Sequence, residues 1–186
     1  MATTINSNDK HELDMNVEAT FQEALRAAQS RDFAAAELKL RSILDHDPVE
    51  VNPLRMLGSL KLTHNELEEA EALLSSALKS APKFAAAVVD LARCYYLQNK
   101  HKQAAELLSD LASAPQADYL CLQLYADILF ALGQGAQARQ AQQKSIERDP
   151  HNNDIGQAIG HLRQGRGREA EQVYRQILKA NPVNVH

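Results

Sequence analysis

Two short runs carry the spacing of a phosphate-cradling turn. GQGAQA (Gly133 to Ala138) and GRGREA (Gly165 to Ala170) both read G-x-G-x-x-A. Such a turn holds a dinucleotide only where a strand precedes it and a helix opens behind it. Both runs follow helical patterns instead, and both end on an alanine that recurs along the chain, so they are expected to be helix-to-helix turns with no cofactor. GQAIG (Gly156 to Gly160) lies in too polar a helix to be a membrane packing motif. Cys94 and Cys121, the two cysteines, sit seven residues apart in phase on neighbouring helices. That is about 10 Å along a helix axis. With a helix diameter added, their Cα atoms exceed the roughly 7 Å limit for a bridge. Buried reduced thiols are expected, with a redox pair as the alternative. His11, His46, His64, His101, His151, His161 and His186 include no i, i+4 pair that would put two imidazoles on one metal. No serine, cysteine or lysine has an evident base and orienter, and no Gly-Lys-Ser/Thr loop is present. Catalysis by this chain alone is not expected, and the acidic run NELEEAE (Asn65 to Glu71) reads as the solvated face of a helix.

The elements that would position any site come from a repeat. Ala36, Ala70, Ala104 and Ala138 are 34 residues apart, with Ala170 following at 32. Twelve residues before each stands another small residue: Ala24, Gly58, Ala92, Ala126 and Ala158. Pro48, Pro82, Pro150 and Pro182 form a third column, broken only by Gln116 beside Pro115. Each period holds two amphipathic stretches; in the second, Leu54, Leu57 and Leu60 share one helical face and Leu67, Ala70, Leu74, Ala77 and Leu78 another. Paired helices that cross through Ala or Gly approach to the short end of about 8–10 Å, where a branched side chain does not fit. Proline then stops the second helix, because it lacks the donor and restricts its predecessor. The columns define units 17–50, 51–84, 85–118 and 119–152, then a shorter fifth from 153 to 186. Residues 1–16 read as a disordered lead-in.

This spacing resembles the tetratricopeptide repeat, most plainly in Leu57-Gly58, Ala70, Leu74, Ala77 and Pro82. The resemblance implies an all-α fold, an α-solenoid of helical hairpins wound as a right-handed superhelix with the first helices on the concave face. No unit has the family's Trp; Thr20, Leu54, Val88 and Leu122 fill those slots, and Gln142 stands where a large apolar residue is usual. The fifth unit matches the first more than its neighbour, since Phe21 to Leu44 superposes on Ile155 to Leu178 without gaps. A second array beginning near 153 and ordinary drift between repeats both account for this.

Phasing the first helices by their small-residue column points Phe21, Gln22, Arg55, Ser59, Asp90, Arg93, Tyr96, Gln123, Asp127 and Phe130 into the groove. Forked arginines beside aromatic rings suit an extended peptide. The family's carboxylate clamp needs Lys and Asn on these faces, where Phe21, Leu25, Met56 and Asp90 stand, so that type of adaptor is disfavoured.

A formal charge of -4 without a basic stripe nominates no nucleic acid. No apolar run approaches the roughly 20 residues that span a bilayer, and the polar N-terminus lacks a secretory signal, so a cytoplasmic, membrane-free protein is expected. Three readings of function stand: a non-catalytic scaffold for a protein or peptide, the acceptor-binding repeats of a larger bacterial sulfotransferase, whose repeat wording the last unit resembles, and an envelope or pilus assembly factor. The last helix would leave Val173, Tyr174, Ile177 and Leu178 without a successor. A truncated array, self-association through that helix or a swapped helix is the expectation there.

Overall fold

The computed structural model describes residues 7–150 and 152–180. Among them ten helices follow one another: α1 (Ser7–Gln29), α2 (Phe33–His46), α3 (Val51–Thr63), α4 (Leu67–Ser80), α5 (Ala85–Leu97), α6 (His101–Ser113), α7 (Tyr119–Ala131), α8 (Gly135–Arg148), α9 (Asn152–Arg163) and α10 (Gly167–Ala180). Helix α1 begins inside the segment expected to be a disordered lead-in. Residues 7–16 are helical, in a stretch with no Gly or Pro before Gln29 to interrupt it. Residues 1–6 of that segment lie outside the described residues.

The chain divides into two compact units, one through Asp110 and one from Leu111. In the first, α1 packs on α2 and α3 on α4, while α2 meets α3, α4 meets α5, and the first helices α3 and α5 also touch. In the second, α7 packs on α8 and α9 on α10, while α8 and α9 touch only lightly. This is an all-α array of tandem hairpins. All ten small residues of the two columns, from Ala24 and Ala36 to Ala158 and Ala170, are buried. Gly58 shows why bulk is excluded: a Cβ there would lie 2.7 Å from Leu74 Cγ.

The hairpin turns share one device. Arg31, Asn65, Asn99, Gly133 and Gly165 all have positive φ, and they recur with the period of the alanines. At each, the following amide reaches back to the last turn of the first helix, as in Asp32 N to Ala27 O at 2.9 Å and Gln134 N to Leu129 O at 2.9 Å. These bonds satisfy carbonyls that the helix end would otherwise leave orphaned. The two G-x-G-x-x-A runs are therefore left-handed helix ends, as their position between helical patterns required. In the first turn an arginine holds the strained conformation, which for a residue with a Cβ costs about 1–2 kcal/mol. Arg31→Gly should stabilise the first unit by roughly 0.5–1 kcal/mol, after allowing for the freer unfolded chain. Urea unfolding checks it. Gly133→Ala should move the second unit the opposite way, since nothing within 4 Å of a Cβ there adds a clash.

Candidate functional site

Between α1 and α3 the first unit has a groove of about 270 Å³, lined by Phe21, Leu25 and Ala28 from α1 and Asn52, Arg55, Met56, Ser59, Leu60 and Thr63 from α3. Helical spacing creates it. Residues 21, 25 and 28 fall on one face of α1, and 52, 55, 56, 59, 60 and 63 on one face of α3. Below the groove, Ala24, Leu57 and Leu60 belong to a buried cluster against which Phe21, Ala28 and Met56 pack. The apolar floor is thus fixed by the core.

Arg55 is the one charged side chain lining it. Its Nε donates to Asp90 Oδ2 at 2.8 Å, joining α3 to α5. Asp90 is buried, with 7% of its surface exposed. Burial pushes its carboxyl above the usual range, while Arg55 and then Arg93 pull it back. Sequence phasing pointed both into the groove; in the structure Asp90 is largely buried and accepts from Arg55.

The remaining sequence-predicted residues are placed as follows. Ser59 lines the groove. Gln22 does not; it is exposed, and its Nε2 donates to Glu18 Oε1 at 2.8 Å along α1. The phasing included it because neighbouring positions straddle the face. Arg93 is exposed on α5. Tyr96 is half-buried, its ring tilted against His101 at 5.4 Å between centroids, so it is tied to the start of α6. Gln123, Asp127 and Phe130 lie in the second unit, exposed along one face of α7. Sequence phasing left out Asn52 and Thr63, one turn beyond Arg55 and Ser59 on the same face.

A second polar centre escaped the sequence reading altogether. Lys61 on α3 is 5% exposed, and its Nζ lies 2.8 Å from Glu37 Oε1, 3.0 Å from Glu66 Oε2 and 3.3 Å from Glu69 Oε2. Arg41 Nη2 bridges Glu37 at 2.7 Å and Glu69 at 2.6 Å. Hydrogen bonds from Lys61 and Arg41 hold the Glu37 carboxyl below the usual range, and those from Arg41 and Lys61 do the same to Glu69. The acidic run is therefore only partly a solvated face: Glu66 and Glu69 hold Lys61, and Glu71 accepts from Lys100 Nζ at 2.7 Å. A signal was present, because Lys61 occupies the column of Ala27, Tyr95 and Leu129, none of them charged.

Cys94 and Cys121 are both buried and free, and burial pushes each thiol up to about 11. Among the described residues no three His, Cys, Asp or Glu side chains gather as metal ligands would. Nor is any described helix long and apolar enough to cross a membrane. His151 and His186 lie outside the described residues. On α10, Val173, Tyr174 and Ile177 are half-buried and Leu178 is 45% exposed.

Tetratricopeptide-repeat family patterns match the chain over residues 61–128 and 120–152. The chain is a tetratricopeptide-repeat protein. Its fold is shared with the solved structure of MamA 41-end from Desulfovibrio magneticus RS-1, at 16% identity and a TM-score of 0.66, covering 91% of this chain and 97% of that one. MamA AMB-1 is similar at 19% identity and a TM-score of 0.63, over 87% of this chain and 96% of that one. At these identities the likeness is one of fold. No curated protein matches the chain. The repeats are those of a non-enzymatic protein-interaction scaffold. Nothing in these matches adds to the sulfotransferase resemblance of the last unit.

Proposed function

We propose that this tetratricopeptide-repeat protein holds an extended peptide segment of a partner protein against its first unit, in the groove between α1 and α3. One observation carries the reading: an apolar floor of Phe21, Leu25 and Met56 lies beside the polar groups of Arg55, Asn52, Ser59 and Thr63. A peptide offers both apolar side chains and backbone amides, and a surface with both kinds of group suits it better than a purely apolar partner helix. Arg93 and Tyr96 on α5 are outside the groove lining, and the proposed surface extends to them through Asp90, which Arg55 bonds and whose carboxyl feels the Arg93 charge. The exposed face of α7, with Gln123, Asp127 and Phe130, is a separate contact surface in the second unit.

Twelve-residue peptides selected on the immobilised chain from a random library should shift the backbone amides of residues 21–28, 52–63 and 93–96. Shifts confined to α2, α4 and α8 would overturn the groove as the site. Replacing Arg93 and Tyr96 together by alanine should weaken the selected peptides at least tenfold, while far-ultraviolet circular dichroism stays helical.

A further inference from the structure

We infer that the occupant of the first-unit groove carries side-chain carboxylates alternating with apolar side chains, and that Arg55, positioned by Asp90, is the group that reads the carboxylate. This rests on the peptide-binding reading given above.

The Arg55–Asp90 pair is not a feature of the repeat. The column of Arg55 otherwise holds Phe21, Val89 and Gln123, and that of Asp90 holds Gln22, Met56 and Leu124. Stacking of hairpins therefore needs no charge at either place. A carboxylate is nonetheless buried here, against its desolvation cost, with one Arg55 bond at 2.8 Å to show for it. What the pair achieves is orientation. Asp90 takes the Nε–H and fixes the plane of the guanidinium, while among the described residues both Nη groups keep their donors for another acceptor. A planar fork with two free N–H groups matches a carboxylate in a way an ammonium does not.

The surroundings agree in sign. None of the nine residues lining the groove is acidic. Arg93, one turn along α5 from Asp90, adds an exposed cation beside the half-buried Arg55. The ion-paired glutamates of the first unit are bound elsewhere, Glu23 to Lys39, Glu37, Glu66 and Glu69 to Lys61, and Glu71 to Lys100. Arg55 and the apolar side chains of Phe21, Leu25 and Met56 lie in the same groove, so one ligand face must offer an acid and an apolar group together. An extended segment does this when they stand at i and i+2, because every second side chain points the same way. The acid inferred is a side chain and not a terminus, because the apolar side chains of Phe21, Leu25 and Met56 lie beside Arg55 and call for a segment that runs along the groove.

The probe is a fluorescein-labelled sixteen-residue peptide repeating Glu-Gly-Leu-Gly, blocked at both ends, read by fluorescence anisotropy against the full chain. A Gln-Gly-Leu-Gly peptide and an unblocked Gln peptide with a free terminal carboxylate are the comparisons. The Glu peptide should bind at least tenfold tighter than either. Arg55→Gln should bring the Glu and Gln affinities within about twofold of each other, Arg55→Lys should keep only part of the difference, and Asp90→Asn should reduce it with Arg55 still present. The ratio of affinities is the readout, which a merely structural role for Arg55 or Asp90 would leave unchanged. Equal binding of the Glu and Gln peptides, tighter binding of the free-terminus peptide, or binding by neither overturns the inference. The library-selected peptides then show whether the broader reading falls with it: if their amide shifts still map to the groove, it stands.

Discussion

Leu74→Ala should remove about 2–5 kcal/mol from the first unit, the range for truncating a fully buried leucine. Leu74 has no exposed surface and clusters with Ala70, Leu91 and Cys94, while its Cγ faces the vacant Cβ position of Gly58. It is thus the side chain on which α3, α4 and α5 converge. Urea unfolding followed by circular dichroism should show the loss as a lower midpoint. The contact with Gly58 makes a sharper test. Gly58→Ala alone adds a methyl group 2.7 Å from Leu74 Cγ and 3.0 Å from Cδ2, too close for Leu74 to stay where it is. Overpacking of this kind costs about 1–3 kcal/mol, against a gain of about 1 kcal/mol because alanine favours a helix over glycine. In the double variant the added methyl enters the space that Leu74 vacated. The two changes should then be less damaging together than their sum, by at least 1 kcal/mol, whereas independent sites add within about 0.5 kcal/mol. Additivity here would mean that the small-residue column is not where the hairpins close.

That column was legible in the sequence because close packing leaves a one-sided record. A position pressed against the neighbouring helix accepts Ala or Gly and little else, as Gly58 does against Leu74, so Ala24, Gly58, Ala92, Ala126 and Ala158 betray the crossing. The turns were legible for a related reason, with Asn65, Asn99, Gly133 and Gly165 marking the left-handed residue; Arg31 gave no such sign, since its side chain carries no record of φ. Groove residues were harder. Helical phase assigns a face about one residue wide of the mark, which put Gln22 among the groove residues and left out Thr63. Phase also does not reveal depth, so Asp90 looked available to a ligand although Arg55 covers it. Lys61 went unread because a lysine between two leucines looks like a solvated interruption. Only the arrival of Glu37 from α2, and of Glu66 and Glu69 from the start of α4, makes its burial tolerable, and that meeting is tertiary.

Lys61→Met should accordingly be among the most damaging changes in the chain, despite its conservative shape and greater hydrophobicity. Removing one partner of a buried ion pair costs about 3–5 kcal/mol when the other charge is left stranded. Here Glu66 and Glu69 reach solvent and Arg41 still bridges Glu37 and Glu69, which places the expected loss near the lower end, about 3 kcal/mol. The pH dependence separates this cause from simple misfit. Glu37 and Glu69 have folded-state pKa values below the ordinary 4.5, so they contribute stability above that value and lose it as the pH falls through the folded values. Lys61 is raised above 10.5, so its own contribution is intact at neutral pH and disappears only in strong base. Asp90 runs the other way: its raised carboxyl favours the folded state on the acid side and opposes folding once ionised. The parent should therefore lose stability as the pH falls below the ordinary 4.5 and through the lowered folded values of the glutamates, with a slope softened by Asp90. Lys61→Met should flatten that slope, because Glu37 loses the first of the bonds that hold its pKa down. Asp90→Asn should steepen it. Urea midpoints measured across this range test both signs in one series. A Lys61→Met protein with the parent's acid slope and a stability within about 1 kcal/mol of it would mean that Arg41 alone keeps Glu37 and Glu69 in place, and that Glu66 adds nothing measurable.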